Sequence, residues 1–486
     1  MESRAELAAS HRMAYDKGLR KLPIVSPLHA REDSRVKQRN YVIACTAVAA
    51  LGGLLFGFDT AVISGAEKTL QNIFDLAGFW HGFTVASALI GTIIGAMTIG
   101  KPADLVGRRA ALFLLATFYL ISAIGSALAW DWYSFVIFRF IGGLGVGGAS
   151  VVSPMYIAEI SPAELRGRLV AVVQFNIVLG ILLAFFSNYT IAWLELGAVE
   201  WRWMFGVEAF PAAAFLALLC LVPRSPRWLV AEDLIDEARG VLSRVGTDTG
   251  SVESEVDAIQ ESLRERQQAL REPFFQGKYL GPILLAVAIA MFNQLSGINA
   301  VMYYAPRIFE MAGTGEETAL LQTVAVGGTN LVFTILAMTI IDMVGRKKLM
   351  LAGSLGYIVS LATAAITFYT YGTDFTGAGG TIVLGAILLF IASHAFGQGA
   401  VIWVFISEIF PNRVRARGQA MGSFTHWVMA AAISWTFPMI AAQSGGHAFA
   451  FYCTMMVLQL VWVLTAMPET KGVPLEKIQE KLGIKD

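Results

Sequence analysis

Apolar residues in this 486-residue chain gather into long runs, and polar residues gather into the short stretches between them. Runs of about 20 apolar residues, the length a helix needs to cross a bilayer, recur at approximately 41–65, 79–100, 110–130, 132–155, 167–190, 202–222, 280–304, 320–341, 348–370, 381–407, 418–441 and 448–467. The pattern predicts twelve membrane-spanning helices and an all-α membrane protein. Composition agrees. Hydrophobic residues make up 56% of the chain and charged residues 15%, against about 25% charged in soluble domains. The 47 glycines suit helices whose backbones approach closely in a membrane.

The position of the charges adds orientation. Lys37 and Arg39 precede the first run, Arg108 and Arg109 lie in the second connection, and Arg166 and Arg168 in the fourth. Arg346, Lys347 and Lys348 fill the eighth, Arg413, Arg415 and Arg417 the tenth, and Lys471 and Lys477 follow the last run. The odd connections are poorer in cations: 129–133 and 443–447 contain no lysine or arginine. The positive-inside rule then predicts that both termini and every even connection are cytoplasmic. Lys+Arg and Asp+Glu number 36 each, so charge balance points to no nucleic-acid partner. Cys45, Cys220 and Cys453 lie in or beside apolar runs without metal-ligand spacing, so no metal is predicted. Residues 1–40 read as a polar, basic cytoplasmic arm without the short apolar core and cleavage site of a signal peptide.

The chain also repeats itself. Pro154-Met-Tyr-Ile-Ala-Glu159-Ile-Ser-Pro162-Ala-Glu-Leu-Arg166-Gly-Arg168 aligns with Trp403-Val-Phe-Ile-Ser-Glu408-Ile-Phe-Pro411-Asn-Arg-Val-Arg415-Ala-Arg417 at a constant offset of 249 residues. Asp104-Leu-Val-Gly-Arg108-Arg109 matches Asp342-Met-Val-Gly-Arg346-Lys347, and Pro223-Arg-Ser-Pro-Arg227 follows span six where Pro468-Glu-Thr-Lys-Gly472 follows span twelve. Two parallel six-span halves are predicted, 41–223 and 279–468, with a cytoplasmic linker at 224–278 and a cytoplasmic tail at 469–486. Such repeats mark secondary transporters with a midplane site between the halves. In the linker, 228–242 has apolar residues at helical spacing, and 253–272 reads as a second, more polar helix.

These paired motifs, together with Gln294-Leu-Ser-Gly-Ile-Asn299-Ala-Val-Met-Tyr303-Tyr304-Ala-Pro306, resemble the sugar porter family of the major facilitator superfamily, closest to its bacterial xylose–proton symport branch. The resemblance covers nearly all of the chain after residue 40 and implies the major facilitator fold, in which two six-helix halves are related by pseudo-symmetry. One departure is Arg224, which stands where many members carry an acid.

The resemblance assigns sugar contacts to Gln174 in span five, Asn293, Gln294 and Asn299 in span seven, Asn330 in span eight, Trp403 in span ten, and His426 and Trp427 in span eleven. The chemistry fits. Amide side chains both donate and accept, as sugar hydroxyls do, and aromatic faces cover the apolar faces of a sugar ring. The plain alternative for each amide is interhelical glue. Asn293, Ile181 and His426 stand where the xylose-type branch has glutamines, which leaves the particular sugar open. His426 adds a titratable group, though a neutral imidazole replacing an amide is the simpler reading. Tyr303 and Tyr304 are expected to gate the outer mouth.

A carboxylate at the bilayer centre costs roughly 3 kcal/mol on insertion scales, so Asp59 needs company. It is placed a few residues below the outer end of span one, level with Arg139 in span four and Glu208 in span six. Beside Arg139 the carboxylate stays an anion, and a movement that parted them would let it take a proton. The proton-coupled branch has aspartate at this position and the uncoupled glucose facilitators have asparagine, so Asp59 points to symport, with Asp59, Arg139 and Glu208 as the coupling residues. A static Asp59–Arg139 salt bridge is the competing reading.

Near the cytoplasmic ends, Asp104, Arg108 and Arg109 are expected to pair with Glu159 and Arg166, and Asp342, Arg346, Glu408 and Arg415 to do likewise, as a conformational latch. No catalytic constellation, cofactor motif or Gly-Lys-Ser/Thr phosphate loop appears, so an enzyme or an ATP-driven pump is not predicted. The expectation is a proton-coupled pentose or hexose symporter, a monomer by family habit, in a bacterial inner membrane, with a sugar, protons and the lipid bilayer as partners. An uncoupled facilitator and a non-transporting sugar sensor are the alternatives. Drug efflux is disfavoured by the amide-rich span seven.

Overall fold

The computed structural model describes residues 27–246, 250–269, 272–372, 374–375, 377–473, 475–482 and 484. The expectations for residues 1–26, and for short pieces of the linker and tail, lie outside the described residues.

Hydrocarbon offers no partner for a bare N–H or C=O, so each apolar run closes its hydrogen bonds within a helix. The first half comprises α1 (Pro27–Ile73), α2 (Gly78–Thr98), α3 (Gly100–Val106), α4 (Arg108–Ala127), α5 (Trp132–Ile160), α6 (Ala163–Trp193), α7 (Glu200–Gly206) and α8 (Ala209–Leu218). The connecting region holds α9 (Pro226–Ala231), α10 (Ile235–Val245) and α11 (Val252–Ala269). The second half comprises α12 (Leu280–Leu295), α13 (Ile298–Met311), α14 (Glu316–Val344), α15 (Arg346–Tyr371), α16 (Gly379–Phe396), α17 (Gln398–Ile409), α18 (Arg415–Ala441) and α19 (Gly445–Thr465), and α20 (Leu475–Lys481) follows.

Among the described residues, eleven helical stretches are long and apolar enough to cross a membrane. The predicted eleventh span, α18, is long enough at 27 residues. It is less apolar because Ser423, Thr425, His426, Ser434 and Thr436 interrupt it. It lies against α2 and α12, with Ser434 buried and Ser423, Thr425 and His426 half-buried.

Three spans are interrupted, which the apolar pattern did not foretell. Span six breaks at Val207–Glu208, where Pro211 has no N–H to return to the carbonyl of Val207. Span seven breaks at Ser296–Gly297, and within α13 the backbone kinks at Tyr304 (φ −120°, ψ 19°) ahead of Pro306. Span ten breaks at Gly397.

The halves meet along two seams, α2 on α18 and α6 on α14, each the repeat of the other, with α1 touching α13 at one end. Within the first half α1 and α6 lie backbone to backbone. A Cβ on Gly57 would fall 1.8 Å from the carbonyl oxygen of Ile177. In the connecting region, α9, α10 and α11 bury Leu229, Val241, Leu242 and Val256 against Val42 at the start of α1. Arg239 holds Glu253 through two bonds of 3.0 Å, tying α10 to α11.

Gly57→Ala should therefore cut the yield of monodisperse, heat-resistant protein sharply, because backbone cannot retreat as a side chain can. Gly385→Ala, where a Cβ meets nothing within 4 Å, should leave it unchanged. Size-exclusion profiles and thermal denaturation in detergent give the comparison.

Candidate functional site

Midway along α1, Asp59 meets Arg139 of α5. The guanidinium donates from Nη1 to Asp59 Oδ1 at 2.6 Å and from Nη2 to the Asp59 carbonyl at 3.0 Å, and both side chains are 1% exposed. Phe205 lies under the guanidinium, 5.4 Å from ring centroid to Arg139 Cζ. Glu208, at the break in span six, lies within electrostatic reach of both residues. Its Oε1 is buried with no hydrogen-bond partner among the described residues, and so is Arg139 Nε. The structure thus brings the three predicted charges together, with one direct pair and one carboxylate beside it. Depth is where the sequence reading needs correcting. The helix runs on to Ile73, so Asp59 sits 14 residues from its end, about 21 Å at 1.5 Å per residue. Apolarity stops near residue 65, but the helix continues because Glu67, Lys68 and Gln71 find partners on α13.

The predicted sugar residues of span seven form one chain. Asn299 Nδ2 donates to Gln294 Oε1 at 2.9 Å, and Gln294 Nε2 donates to Asn293 Oδ1 at 3.0 Å. The same amide nitrogen lies 3.3 and 3.2 Å from the two ring nitrogens of His426. His426 in turn sits 5.1 Å from Trp403 and 4.8 Å from Trp427, ring to ring. Across the seam, Phe56 of α1 is 5.6 Å from Trp427. The helix break makes the cluster possible. Gly297 adopts φ +86°, and a Cβ there would lie 2.4 Å from the Tyr452 ring, so the chain can turn and keep Gln294 and Asn299 on one side. Ser296 Oγ accepts from the Ile298 N–H and restores a partner lost at the break.

Gln174 and Asn330 stand apart. Gln174 is half-buried on α6 and Asn330 nearly buried on α14, and neither makes a side-chain hydrogen bond to the cluster among the described residues. Tyr304 does not share a direction with Tyr303. Its hydroxyl donates to the Ser434 carbonyl at 3.0 Å and its ring packs 5.0 Å from Phe437, both on α18, whereas Tyr303 lies near Thr60 of α1.

The arginine-rich ends carry two matching pairings, each within one half. Arg108 bonds Asp104 at 2.9 Å and Glu159 at 3.0 Å, and Ser225 also donates to Glu159. Arg346 bonds Asp342 at 3.0 Å and grips Glu408 from both sides at 2.8 and 3.1 Å, and Thr470 donates to Glu408 at 2.6 Å. Two expected partners differ, those of Arg109 and Arg415. Arg109 donates to the carbonyls of Leu219 and Cys220, which end the helical turn after α8 and lack intrahelical donors. Arg166, besides its other contacts, donates to the carbonyls of Ala158 and Ser161. Arg415 makes no ion pair among the described residues. Asn188 is spent on packing: its Nδ2 donates to the Val62 carbonyl at 3.0 Å and it is 1% exposed.

Sequence reasoning missed two groups. One is a buried set at the end opposite the arginine pairs, Glu67 with His81 and Arg307. The other holds the break in span ten, where Gln398 donates to Gln459, Gln459 donates to Ser354 at 3.0 Å, and Tyr357 Oη meets His394 Nδ1 at 2.6 Å. The signal was present as polar residues in apolar runs, but nothing in their spacing paired them.

With this geometry in view, the comparisons are specific. Residues 45–482 match the sugar (and other) transporter family. The D-xylose-proton symporter of Escherichia coli (strain K12) is 39% identical over 479 residues, covering 90% of this chain and 95% of that protein. The arabinose-proton symporter of Bacillus subtilis (strain 168) is 36% identical over 459 residues, covering 93% of this chain and 97% of that protein. A solved structure of the E. coli xylose transporter in an inward open conformation superposes with a TM-score of 0.80 at 38% identity, covering 91% of this chain and 100% of that one. The chain belongs to the sugar transporter family, as a multi-pass membrane protein of the major facilitator fold.

Glu469 tests the local electrostatics of the second half. It accepts the Arg346 and Lys347 backbone N–H groups at 3.0 and 3.1 Å, capping α15. Glu469→Gln removes the negative charge from a helix N-terminus, a change of about 1 kcal/mol. A lower apparent Tm by a few degrees is expected, and an unchanged Tm would show the cap to be dispensable.

Proposed function

We propose that this chain is a proton-coupled monosaccharide symporter that takes up a pentose or hexose by alternating access. The observation that carries the reading is the buried Asp59–Arg139 contact at 2.6 Å, beside Glu208 and within the half that faces the amide cluster. Desolvating two charges is repaid only while they touch. A rocking of α1 against α5 that lengthened the contact would leave a carboxylate in a dry environment, where it takes a proton; re-pairing would expel it. Sugar binding to the cluster around Gln294 and proton loading at Asp59 are then linked through α1, which packs on α13 of the other half.

The sugar site is the face formed by Asn293, Gln294, Asn299, His426, Trp403 and Trp427, with Asn330 contributing from α14 of the same half and Gln174 from α6 across the seam. Trp427 Nε1 supports this. It is a buried donor with no partner among the described residues, facing a region rich in acceptors and donors, and a sugar hydroxyl is a fitting acceptor. Relatives named for xylose–proton and arabinose–proton symport favour pentoses first. The arginine-rich end faces the cytoplasm with both termini, in a bacterial inner membrane, and one chain holds the whole path, so the monomer is the working unit. The 224–278 linker braces the first half, and the paired arginines act as the cytoplasmic latch.

Two experiments in proteoliposomes test the reading. Asp59→Asn should abolish sugar accumulation driven by an inward proton gradient while keeping counterflow of labelled sugar. Accumulation equal to wild type would refute the coupling role, and counterflow in wild type without pH-driven accumulation would make the chain a uniporter. Gln294→Ala leaves Asn299, Asn293 and His426 without their shared partner and removes two sugar hydrogen bonds, so KM for the preferred sugar should rise roughly 30- to 150-fold at about 1–1.5 kcal/mol per bond. A panel of pentoses, hexoses and inositol identifies that sugar, and binding without uptake would mark a sensor instead.

A further inference from the structure

At the end opposite the arginine pairs, α1 continues past its apolar stretch and carries Glu67, Lys68 and Gln71 alongside α13 of the other half. Arg307 of α13 donates from Nε to Glu67 Oε1 at 2.8 Å and from Nη2 to Gln71 Oε1. On the other side of the same carboxylate, His81 Nε2 of α2 stands 2.7 Å from Glu67 Oε2. Glu67 and His81 are 2% and 1% exposed, and Arg307 is 21% exposed. A second pair, Lys68 with Glu310 at 2.6 Å, also crosses between the halves, but Lys68 is 48% exposed and such pairs contribute little. Aromatic rings seal the rim: Phe79 of α2 lies 5.2 Å from Trp435 of α18, whose Nε1 donates to the Phe79 carbonyl at 3.1 Å. Below Arg307, Tyr304 presents its ring edge-on to His81, with centroids 5.9 Å apart.

We propose that Glu67, His81 and Arg307 form the charge lock that closes the outer mouth of the sugar path. The word "outer" rests on the orientation under Proposed function; the lock itself does not. Alternating access requires the halves to part at this end, and α1 and α13 cannot part without separating Glu67 from Arg307. The lock is bistable for that reason. Closed, the buried Glu67 is paired with the part-exposed Arg307; open, both are hydrated, so neither state leaves a bare buried charge. His81 belongs to the same half as Glu67 and travels with it. Its imidazole, in contact with the carboxylate at 2.7 Å though not in hydrogen-bond geometry in this closed state, stays beside it after Arg307 leaves and keeps it placed for recapture, so His81 is a positioning residue.

The test reads the gate directly. Thr60 lies seven residues below Glu67 on the same face of α1, near Tyr303. In the full chain with Cys45, Cys220 and Cys453 replaced by alanine, Thr60→Cys reports access from outside to a membrane-impermeant maleimide in right-side-out vesicles. Labelling should be slow in this parent. Arg307→Gln and Glu67→Gln should each speed it about tenfold by shifting the closed–open balance, and the exchanged pair Glu67→Arg with Arg307→Glu should return it towards the parent rate. His81→Leu should speed labelling, while His81→Gln, which keeps a donor, should not. Equal rates in the parent and Arg307→Gln, or an exchanged pair as fast as the single variants, would overturn the lock. Equal effects of His81→Leu and His81→Gln would remove His81 from it. No sugar or proton gradient enters this measurement, so failure of the symport reading leaves its outcome legible.

Discussion

Hydrocarbon cannot hydrogen-bond, and that constraint organises everything else in this chain. Helices satisfy it by default, so any departure from helix must bring its own partners. At Ser296–Gly297 the partner is the serine hydroxyl on the Ile298 N–H. At Gly397 the neighbouring Gln398 is held in a chain with Gln459 and Ser354. The interruptions are thus confined to places where polar side chains were already gathered, and those same side chains form the candidate path. Charge obeys the same rule: Arg139, the largest fully buried side chain, is matched by Asp59 through both its carboxylate and its carbonyl.

The repeat shows how far one solution was reused. Arg108–Glu159 and Arg346–Glu408 bind helix ends in the same way, and a hydroxyl, from Ser225 or Thr470, adds a bond to each glutamate. The halves then diverge by one residue type. Glu469 caps α15, whereas the corresponding Arg224 turns to the connecting region, 3.4 Å from Glu237 of α10, with its guanidinium 5.8 Å from the Trp228 ring. The second half closes on itself, and the first half instead reaches out to α10.

The spans were legible because hydropathy is a local, additive property of the chain. The Asp59–Arg139 pair was legible because a buried charge compels a partner and few candidates existed. The Gln294–Asn299 cluster followed from amides placed in an apolar run. What was hidden has physical causes too. Arg109 bonds backbone carbonyls, and a carbonyl carries no signature in sequence. Glu67 and Lys68 lie where apolarity fades, so they read as loop, although partners on the other half keep that segment helical. The helix breaks depended on where proline and glycine met specific neighbours, which only packing decides.

The eleventh span carries a consequence for how the halves depend on each other in the bilayer. It packs against α2 and α12 and is less apolar than the eleven other spans among the described residues. Polar side chains lower what a segment gains by entering the bilayer alone. Its contacts with α12 and α2 supply what its own apolarity does not, so the last third of the chain leans on the first for its place in the bilayer. A chain whose halves could not meet would leave the polar side chains of α18 facing hydrocarbon.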